Sequence, residues 1–329
     1  MKILITGTSG HLGEAIARQL KANNSDYIGL DLIPSEFTTH TGSITDKELV
    51  NSLVKKVDFI IHTATLHKPH VGTHSNQHFV DANITGTLTL LEAARIANIK
   101  GFIYTSTTST FGDTLTPKPN EPAIWITEQT IGIPKNIYGV TKSAAEDLCQ
   151  IFYRNHKLPC LVLKTSRFFP EEDDKKAIRQ NYEDLNIKAT EYLYRRVDIE
   201  DVVTAHLLAI DKVQEIGFGK YIISSTSPFE QQHLIEIHTD ANAVVEKIFP
   251  DFKKLFAKKG WKILPKIDRV YVNEKARHEL GWKPKYDFGY ALDCIAIDKD
   301  FRSQLSLDIG IKGYHAETFT EGPYPVLDI

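Results

Sequence analysis

Thr6-Gly7-Thr8-Ser9-Gly10-His11-Leu12-Gly13 is the stretch that decides how this chain folds. An apolar run, Ile3-Leu4-Ile5, precedes it, and Leu12, Ala15, Ile16 and Leu20 follow on one helical face. Strand, glycine turn and helix in succession are the setting in which such glycines bind a dinucleotide. Gly7 serves the tight turn, Gly10 lets the backbone approach a pyrophosphate, and Gly13 lets the helix pack close to the strand. First-turn N–H groups and the helix dipole then face the phosphates. The spacing is G-x-x-G-x-x-G, not the G-x-G-x-x-G of ordinary dehydrogenases. A glycine turn by itself is weak support, because a purely structural strand-to-helix turn also explains it.

A second, independent signal agrees with the first. The strand Tyr27-Ile28-Gly29-Leu30 ends at Asp31, 18 residues after Gly13. A carboxylate there accepts both ribose hydroxyls of an adenosine and repels a 2′-phosphate. Leu32-Ile33-Pro34 bring no Arg or Lys to hold such a phosphate, so NAD is expected rather than NADP.

Composition narrows the class. The 329 residues are 42% hydrophobic and 25% charged, with a formal charge of −3. That is ordinary for a globular protein and argues against a nucleic-acid platform. Cys149, Cys160 and Cys294 have no metal or disulfide spacing, which suits a reducing compartment. A strand beginning at residue 3 leaves no room for a signal peptide, and no apolar run reaches the roughly 18 residues of a membrane helix. A soluble, cytoplasmic protein is expected.

Strands and helices alternate through the first two-thirds, implying a doubly wound parallel sheet with helices on both faces. Strands are expected at 2–6, 26–31, 58–63, 101–106, 159–165 and 219–224, with a short one near 39–42. Helices are expected at 11–23, 45–55, 81–98, 139–156 and 199–213. Beyond residue 225 the pattern turns to helix and loop. The expected division is a dinucleotide-binding domain of 1–166 plus 198–226, and a smaller α/β lobe of 167–197 plus 227–329. That lobe would cover the carboxyl ends of the strands, where open α/β sheets bind ligands.

Tyr138-Gly139-Val140-Thr141-Lys142 sets Tyr and Lys four apart on one face of a helix. A nearby ammonium, with the positive nicotinamide of an oxidised cofactor, favours the phenolate and lowers the pKa of a tyrosine, which would let Tyr138 take a proton from a substrate hydroxyl. Y-x-x-x-K alone is common on exposed helices, and its context carries the argument. The strand Gly101 to Ser106 exits through Thr107-Thr108-Ser109-Thr110-Phe111-Gly112, presenting hydroxyls where a substrate should lie. Chemistry alone does not select which hydroxyl acts.

Taken together, these elements resemble the extended short-chain dehydrogenase/reductases, in particular the NAD-dependent epimerase/dehydratase family. The matching pieces, in order, are the glycine turn, Asp31, Ile60-Ile61-His62-Thr63-Ala64, Asn83-x-x-Gly86-Thr87, the Ser/Thr exit, Tyr138-x-x-x-Lys142, Arg196-Val197-Asp198-Ile199-Glu200-Asp201-Val202, and Lys275 to Pro284. The resemblance implies a Rossmann fold and makes Thr107 the catalytic hydroxyl beside Tyr138 and Lys142. It places the cofactor against Gly7, Ser9, Gly10, His11, Leu12, Gly13 and Asp31, then Thr63, Ala64, Thr65, Asn83, Thr105, Tyr138 and Lys142. Ser43 and Ile44 take the place where many relatives hold the adenine amine with an acid. A homodimer through helices near 85–98 and 139–156 is also implied.

Two departures weaken a nucleotide-sugar substrate. Relatives acting on such substrates carry a motif like R-x-F-N after the sixth strand, whereas this chain reads Arg167-Phe168-Phe169-Pro170, and the insert to Arg196 is short. Thr108 and Ser109 also lack the carboxylates that dehydration needs. Hydride transfer at a carbinol of a sugar or sugar-nucleotide-like substrate, as in an epimerase, is therefore the leading expectation. A dehydrogenase or reductase of a small alcohol or ketone is the alternative, and a non-catalytic NAD sensor a third.

Other features are weighed as follows. His67, His70, His74 and His78 invite a metal reading, but Pro69 and Gly72 break any helix that would align them, so no metal is expected. His67 is best placed to meet a substrate. Arg167 and Arg196, with Arg195, could clamp a substrate anion or tie the lobe to the main domain. Glu171-Glu172-Asp173-Asp174-Lys175-Lys176 reads as a solvated loop, and Trp125 as core.

Overall fold

A computed structural model describes residues 1–315, 317, 319 and 322–325. Its strands are β1 (Lys2–Thr6), β2 (Asp26–Asp31), β3 (His40–Thr41), β4 (Phe59–His62), β5 (Gly101–Thr107), β6 (Ile124–Ile126), β7 (Cys160–Thr165), β8 (Phe218–Ile223) and β9 (Arg269–Tyr271). Seven of them form one parallel sheet in the order β3-β2-β1-β4-β5-β7-β8. β1, β4 and β7 are apolar through most of their length and buried on both faces, as a sheet covered by helices requires. The chain winds outward from β1 to β3, then returns to β4 on the other side of β1. That reversal opens a crevice beyond the carboxyl ends of β1 and β4.

The helices are α1 (His11–Ala22), α2 (Lys47–Val54), α3 (Asn76–Phe79), α4 (Gly86–Ala97), α5 (Ile137–His156), α6 (Lys176–Asn181), α7 (Asp184–Glu191), α8 (Ile199–Ile216), α9 (Leu234–Ile248), α10 (Phe252–Lys259), α11 (Glu274–Glu279), α12 (Phe288–Ala296) and α13 (Gln304–Ile309). On one face α1 and α8 bury Ile16, Leu20, Val202 and Ala209 against Ile3, Ile5 and Ile103. On the other, α2, α4 and α5 bury Val50, Leu90 and Cys149 against Leu4, Ile60 and Phe102. All three cysteines are free and buried.

The structure differs from the expected pattern in three places. The helix expected over 81–98 is α3 and α4 joined by a π-helical turn at Val80–Thr85, which carries Asn83. β6 and β9 pair in a separate two-stranded parallel sheet. The insert before Arg196 holds α6 and α7. The smaller core is built from α7, α9, α10 and α12, with Ala123 and Trp125 contributed from the β6 segment. Ala276, Leu280, Trp282 and Ile309 pack instead onto the α1–α8 face of the main sheet. The Trp282 indole N–H donates to the carbonyl of Asp201 at 3.0 Å, fastening that part of the tail to α8.

Candidate active site

The glycine turn is dictated by sterics. Gly7 has φ +82°, and a Cβ on Gly13 would stand 1.9 Å from the Gly7 carbonyl oxygen. No side chain fits at either position without moving backbone. A Cβ on Gly10 would meet only the Gly7 oxygen, at 3.3 Å, so the outer side of the turn is open. Asp31 accepts from the backbone N–H of Ser9 through Oδ2 and of Ile33 through Oδ1, each at 2.9 Å. The carboxylate thus braces the turn while its remaining lone pairs stay available. An open glycine cradle at a helix N-terminus beside a strand-end carboxylate fits a dinucleotide.

The next wall is the exit of β4. Thr63 Oγ1 donates to the Thr6 carbonyl at 2.6 Å, and the Ala64 N–H donates to Thr6 Oγ1 at 3.3 Å. Asn83 Oδ1 accepts from Thr65 Oγ1 at 2.8 Å and from the Leu66 N–H at 2.9 Å. Its Nδ2 donates to the Leu66 carbonyl at 3.1 Å and to Thr141 Oγ1 at 3.0 Å. Asn83 therefore ties the β4 exit to the helix that carries Tyr138. His62 bridges Thr6 and Thr87 at 2.7 and 3.0 Å, and burial holds its imidazole well below the usual histidine range. Ser43 spends its hydroxyl on Thr45 at 2.7 Å, while Ile44 is buried on α4.

Tyr138, Lys142 and Thr107 meet where β5 and α5 come together. Asn136 caps α5 by accepting from the Gly139 N–H at 3.2 Å, which starts the helix one turn before Lys142. The Thr107 side chain lies close enough to the Tyr138 phenol to oppose part of its pKa shift. Lys142 Nζ donates to the Thr105 carbonyl at 2.7 Å and lies 4.2 Å from the centre of the Tyr104 ring. The Thr105 hydroxyl turns away and bonds His206 Nε2 at 2.8 Å.

Sequence reasoning expected Lys142 to lower the tyrosine pKa. In the protein alone burial dominates, and the Tyr138 phenol is pushed up to about 12, with neighbouring Thr107 opposing the shift. Burial also pushes Lys142 down to about 7, against the attraction of Glu146. Desolvation penalises both charged forms, so the phenol keeps its proton and the lysine holds its own far less firmly than an exposed one does.

Over Tyr138 lies His67, its ring centre 6.3 Å from that of the phenol. Burial, then His70 and Lys142, hold His67 down to about 3, so it is a neutral hydrogen-bonding group. Arg167 and Arg196, paired as an isolated β-bridge after β7, are engaged. Arg167 Nη1 is 2.7 Å from Asp173 Oδ2, and Arg196 Nε donates to Glu191 Oε2 at 2.8 Å. Arg195 Nη2 joins the same network 2.6 Å from Glu191 Oε1. Against burial, Arg195, Arg196 and Arg167 hold the Glu191 carboxyl down to about 2.

The acidic run is not a solvated loop: Glu171, Asp173 and Asp174 are buried, with the two aspartates serving as counter-ions to Arg167 and Arg195. Two further residues of the site carried no sequence signal. Glu171 Oε1 sits 2.8 Å from His11 Nε2, off the ideal hydrogen-bond direction, at the first residue of α1. Tyr314 packs over His67 and Phe169, with ring centres 6.0 and 5.9 Å away. In the histidine cluster, His70 Nδ1 accepts from the His67 N–H at 2.9 Å, and His315 Nε2 meets the Pro69 carbonyl at 3.0 Å. Among the described residues no group of three or more ligating side chains could hold a metal ion. No helix among them is long and apolar enough to cross a membrane.

Comparison with known proteins agrees with this geometry. A dTDP-D-glucose 4,6-dehydratase of Dictyostelium discoideum is 31% identical over 252 residues, which are 66% of this chain and 56% of that one. The matched stretch therefore spans little more than half of that relative's length. A UDP-glucose 4-epimerase of Lactobacillus helveticus is 24% identical over 324 residues, covering 87% and 93% of the two chains. The fold is shared with the crystal structure of a Thermus thermophilus UDP-glucose 4-epimerase in complex with NAD, at TM-score 0.60 and 20% identity over 90% of this chain and 99% of that one. The sequence pattern of the NAD dependent epimerase/dehydratase family matches residues 3–223, a span that runs from the glycine turn through Tyr138 and Lys142 to the last strand of the sheet. With fold, site and sequence in agreement, the chain belongs to the NAD-dependent epimerase/dehydratase family.

Proposed function

We propose that this protein is an NAD-dependent oxidoreductase acting at a carbinol carbon of a sugar-like substrate. The observation that carries the reading is the convergence of Tyr138, Thr107 and Lys142 at the carboxyl ends of the central strands. When bound, NAD supplies the hydride acceptor and donor. The backbone from Gly7 to Gly13 would hold its pyrophosphate, Asp31 its adenosine ribose, and Lys142 its second ribose. Thr63, Ala64 and Thr65 would line its middle, with Ser43 and Ile44 toward the adenine. Asp31 favours NAD over NADP by charge.

Tyr138 gives a proton to, or takes one from, the reacting oxygen, and the Thr107 hydroxyl beside it would orient that oxygen. A phenol raised to about 12 keeps its proton in the protein alone, which equips it first as an acid toward a carbonyl. His67, neutral and facing Tyr138, is set to hydrogen-bond a neighbouring substrate hydroxyl. Dehydration is disfavoured because Thr108 and Ser109 bring no carboxylate to the strand exit. A second reading, net dehydrogenation of a small alcohol, is favoured by Tyr314 lying across the mouth. Dimerisation through α4 and α5 is supported by the exposure of Ile96, Val140 and Ile151 on those helices.

The test is Tyr138→Phe, with NADH binding read by fluorescence and turnover read by NADH absorbance and proton NMR of the sugar. Binding should persist while turnover falls at least about a hundredfold. Unchanged turnover on a genuine substrate removes the assignment.

A further inference from the structure

We propose that Tyr314 is a specificity-determining residue, carried on a strap, residues 312–315, that roofs the site and restricts it to compact, uncharged polyhydroxy substrates without a nucleoside diphosphate. This inference rests on the reading of Tyr138 given above. The strap is fastened at both ends. Lys312 Nζ pairs with Glu14 on α1, and its N–H donates to Glu171 Oε1 at 3.4 Å. Beyond Tyr314, His315 reaches the Pro69 carbonyl at 3.0 Å, and Pro325 lies against Gly72.

Between those anchors the Tyr314 ring closes the space above Tyr138. Its centre is 5.9 Å from that of His11, 6.0 Å from His67 and 5.9 Å from Phe169. These contacts join the glycine turn, the β4 exit and the β7 exit under one aromatic side chain. A substrate reacting at Tyr138 must fit beneath that roof.

Charge points the same way. A diphosphate needs cations with free donors, ideally the bidentate fork of arginine. Arg167, Arg195 and Arg196 are each held by Asp173 or Glu191, and Lys68 by Asp174. A cavity does open beside the strap, lined by Glu171, Glu172, Lys176 and Arg179. Its two acidic and two basic groups balance and leave no net positive charge for a diphosphate, and Arg179 Nη1 is already bonded to the carbonyls of Asp173 and Asp174 at 2.6 and 3.0 Å. What remains near Tyr138 is a neutral imidazole, aromatic faces and hydroxyls, the chemistry that recognises an unconjugated sugar or polyol.

The experiment uses the full-length, NAD-loaded protein. UDP and UDP-glucose are titrated by calorimetry. A panel of neutral aldoses, ketoses and alditols, and the UDP-conjugated hexoses, are assayed by NADH absorbance and by proton NMR. The proposal expects no UDP or UDP-glucose binding at millimolar concentration and turnover of at least one unconjugated compound. For that compound Tyr314→Ala should lower kcat/KM about tenfold or more, chiefly through KM, while Tyr314→Phe stays within about threefold.

Micromolar UDP-glucose binding to the wild type, turnover confined to conjugates or absent, or an unchanged KM in Tyr314→Ala would each overturn it. Turnover of a UDP-sugar that Tyr138→Phe abolishes would sink the strap proposal while leaving the catalytic reading intact. Failure to bind NADH would sink both.

Discussion

Replacing Asn83 by Ala removes the side chain that joins the β4 exit to the tyrosine helix. Asn83 is 1% exposed and makes four hydrogen bonds, two with Leu66 backbone groups and one each with Thr65 and Thr141. A net worth of about 1 kcal/mol per bond sets an upper range near 4 kcal/mol. Two partners recover part of this. Thr141 keeps its bond to the Ile137 carbonyl at 2.8 Å, and half-exposed Leu66 can turn to water. The expected loss is therefore about 2–4 kcal/mol in urea denaturation. NADH affinity should weaken about tenfold in the same variant, because the segment from Thr63 to Leu66 loses its brace. Asn83→Asp should not rescue, since an oxygen would replace the donor that faces the Leu66 carbonyl. A loss below about 1 kcal/mol with unchanged NADH affinity would refute the bracing role.

Three more outcomes follow from the same geometry. Buried Glu146 pairs with Lys164 at 2.9 Å and accepts from Ser106 at 2.6 Å. Glu146→Leu should cost about 3–5 kcal/mol, whereas Glu146→Leu with Lys164→Met should recover most of it, as denaturation will show. Lys142 is held down to about 7 by burial. Its unfolded counterpart keeps a proton to about pH 10, so the unfolded state binds more protons across that window and stability rises with pH. Lys142→Met should therefore be more stable than wild type at neutral pH, with the gap closing toward about pH 10 in parallel melts. Asp31→Ala should reduce the preference for NADH over NADPH at least about tenfold, measured by fluorescence titration.

What the chain reveals by itself is the part encoded locally. The glycine turn and the Asp31 strand end are short-range features, since a positive φ at Gly7 and a close backbone approach at Gly13 leave glycine as the residue that fits. Apolar runs such as Ile3-Leu4-Ile5 mark strands buried on both faces in the same direct way. The π-helical turn at Val80–Thr85 was not legible, because its residues keep helical spacing while one extra backbone position slips in. The acidic run after Pro170 looks solvated for a physical reason: partners such as Lys68 and Arg195 lie far along the chain, Asp174 meeting Lys68 across 106 residues and Asp173 meeting Arg195 across 22. Tyr314 lies still further from His67, and only the folded chain brings the two rings together. The depth at which Tyr138 and Lys142 are buried was equally hidden, and in the protein alone it pushes the tyrosine up and the lysine down.

The most direct test of the central claim is a crystal structure of the protein with NAD bound. The account places the nicotinamide ring beside Tyr138, with Lys142 Nζ on the adjoining ribose and the phenol oxygen within about 3.5 Å of the oxygen of a substrate or of the water standing in for it. A nicotinamide ring lodged away from Tyr138 and Thr107, or a crevice that Tyr314 and Phe169 keep closed to it, would contradict the account.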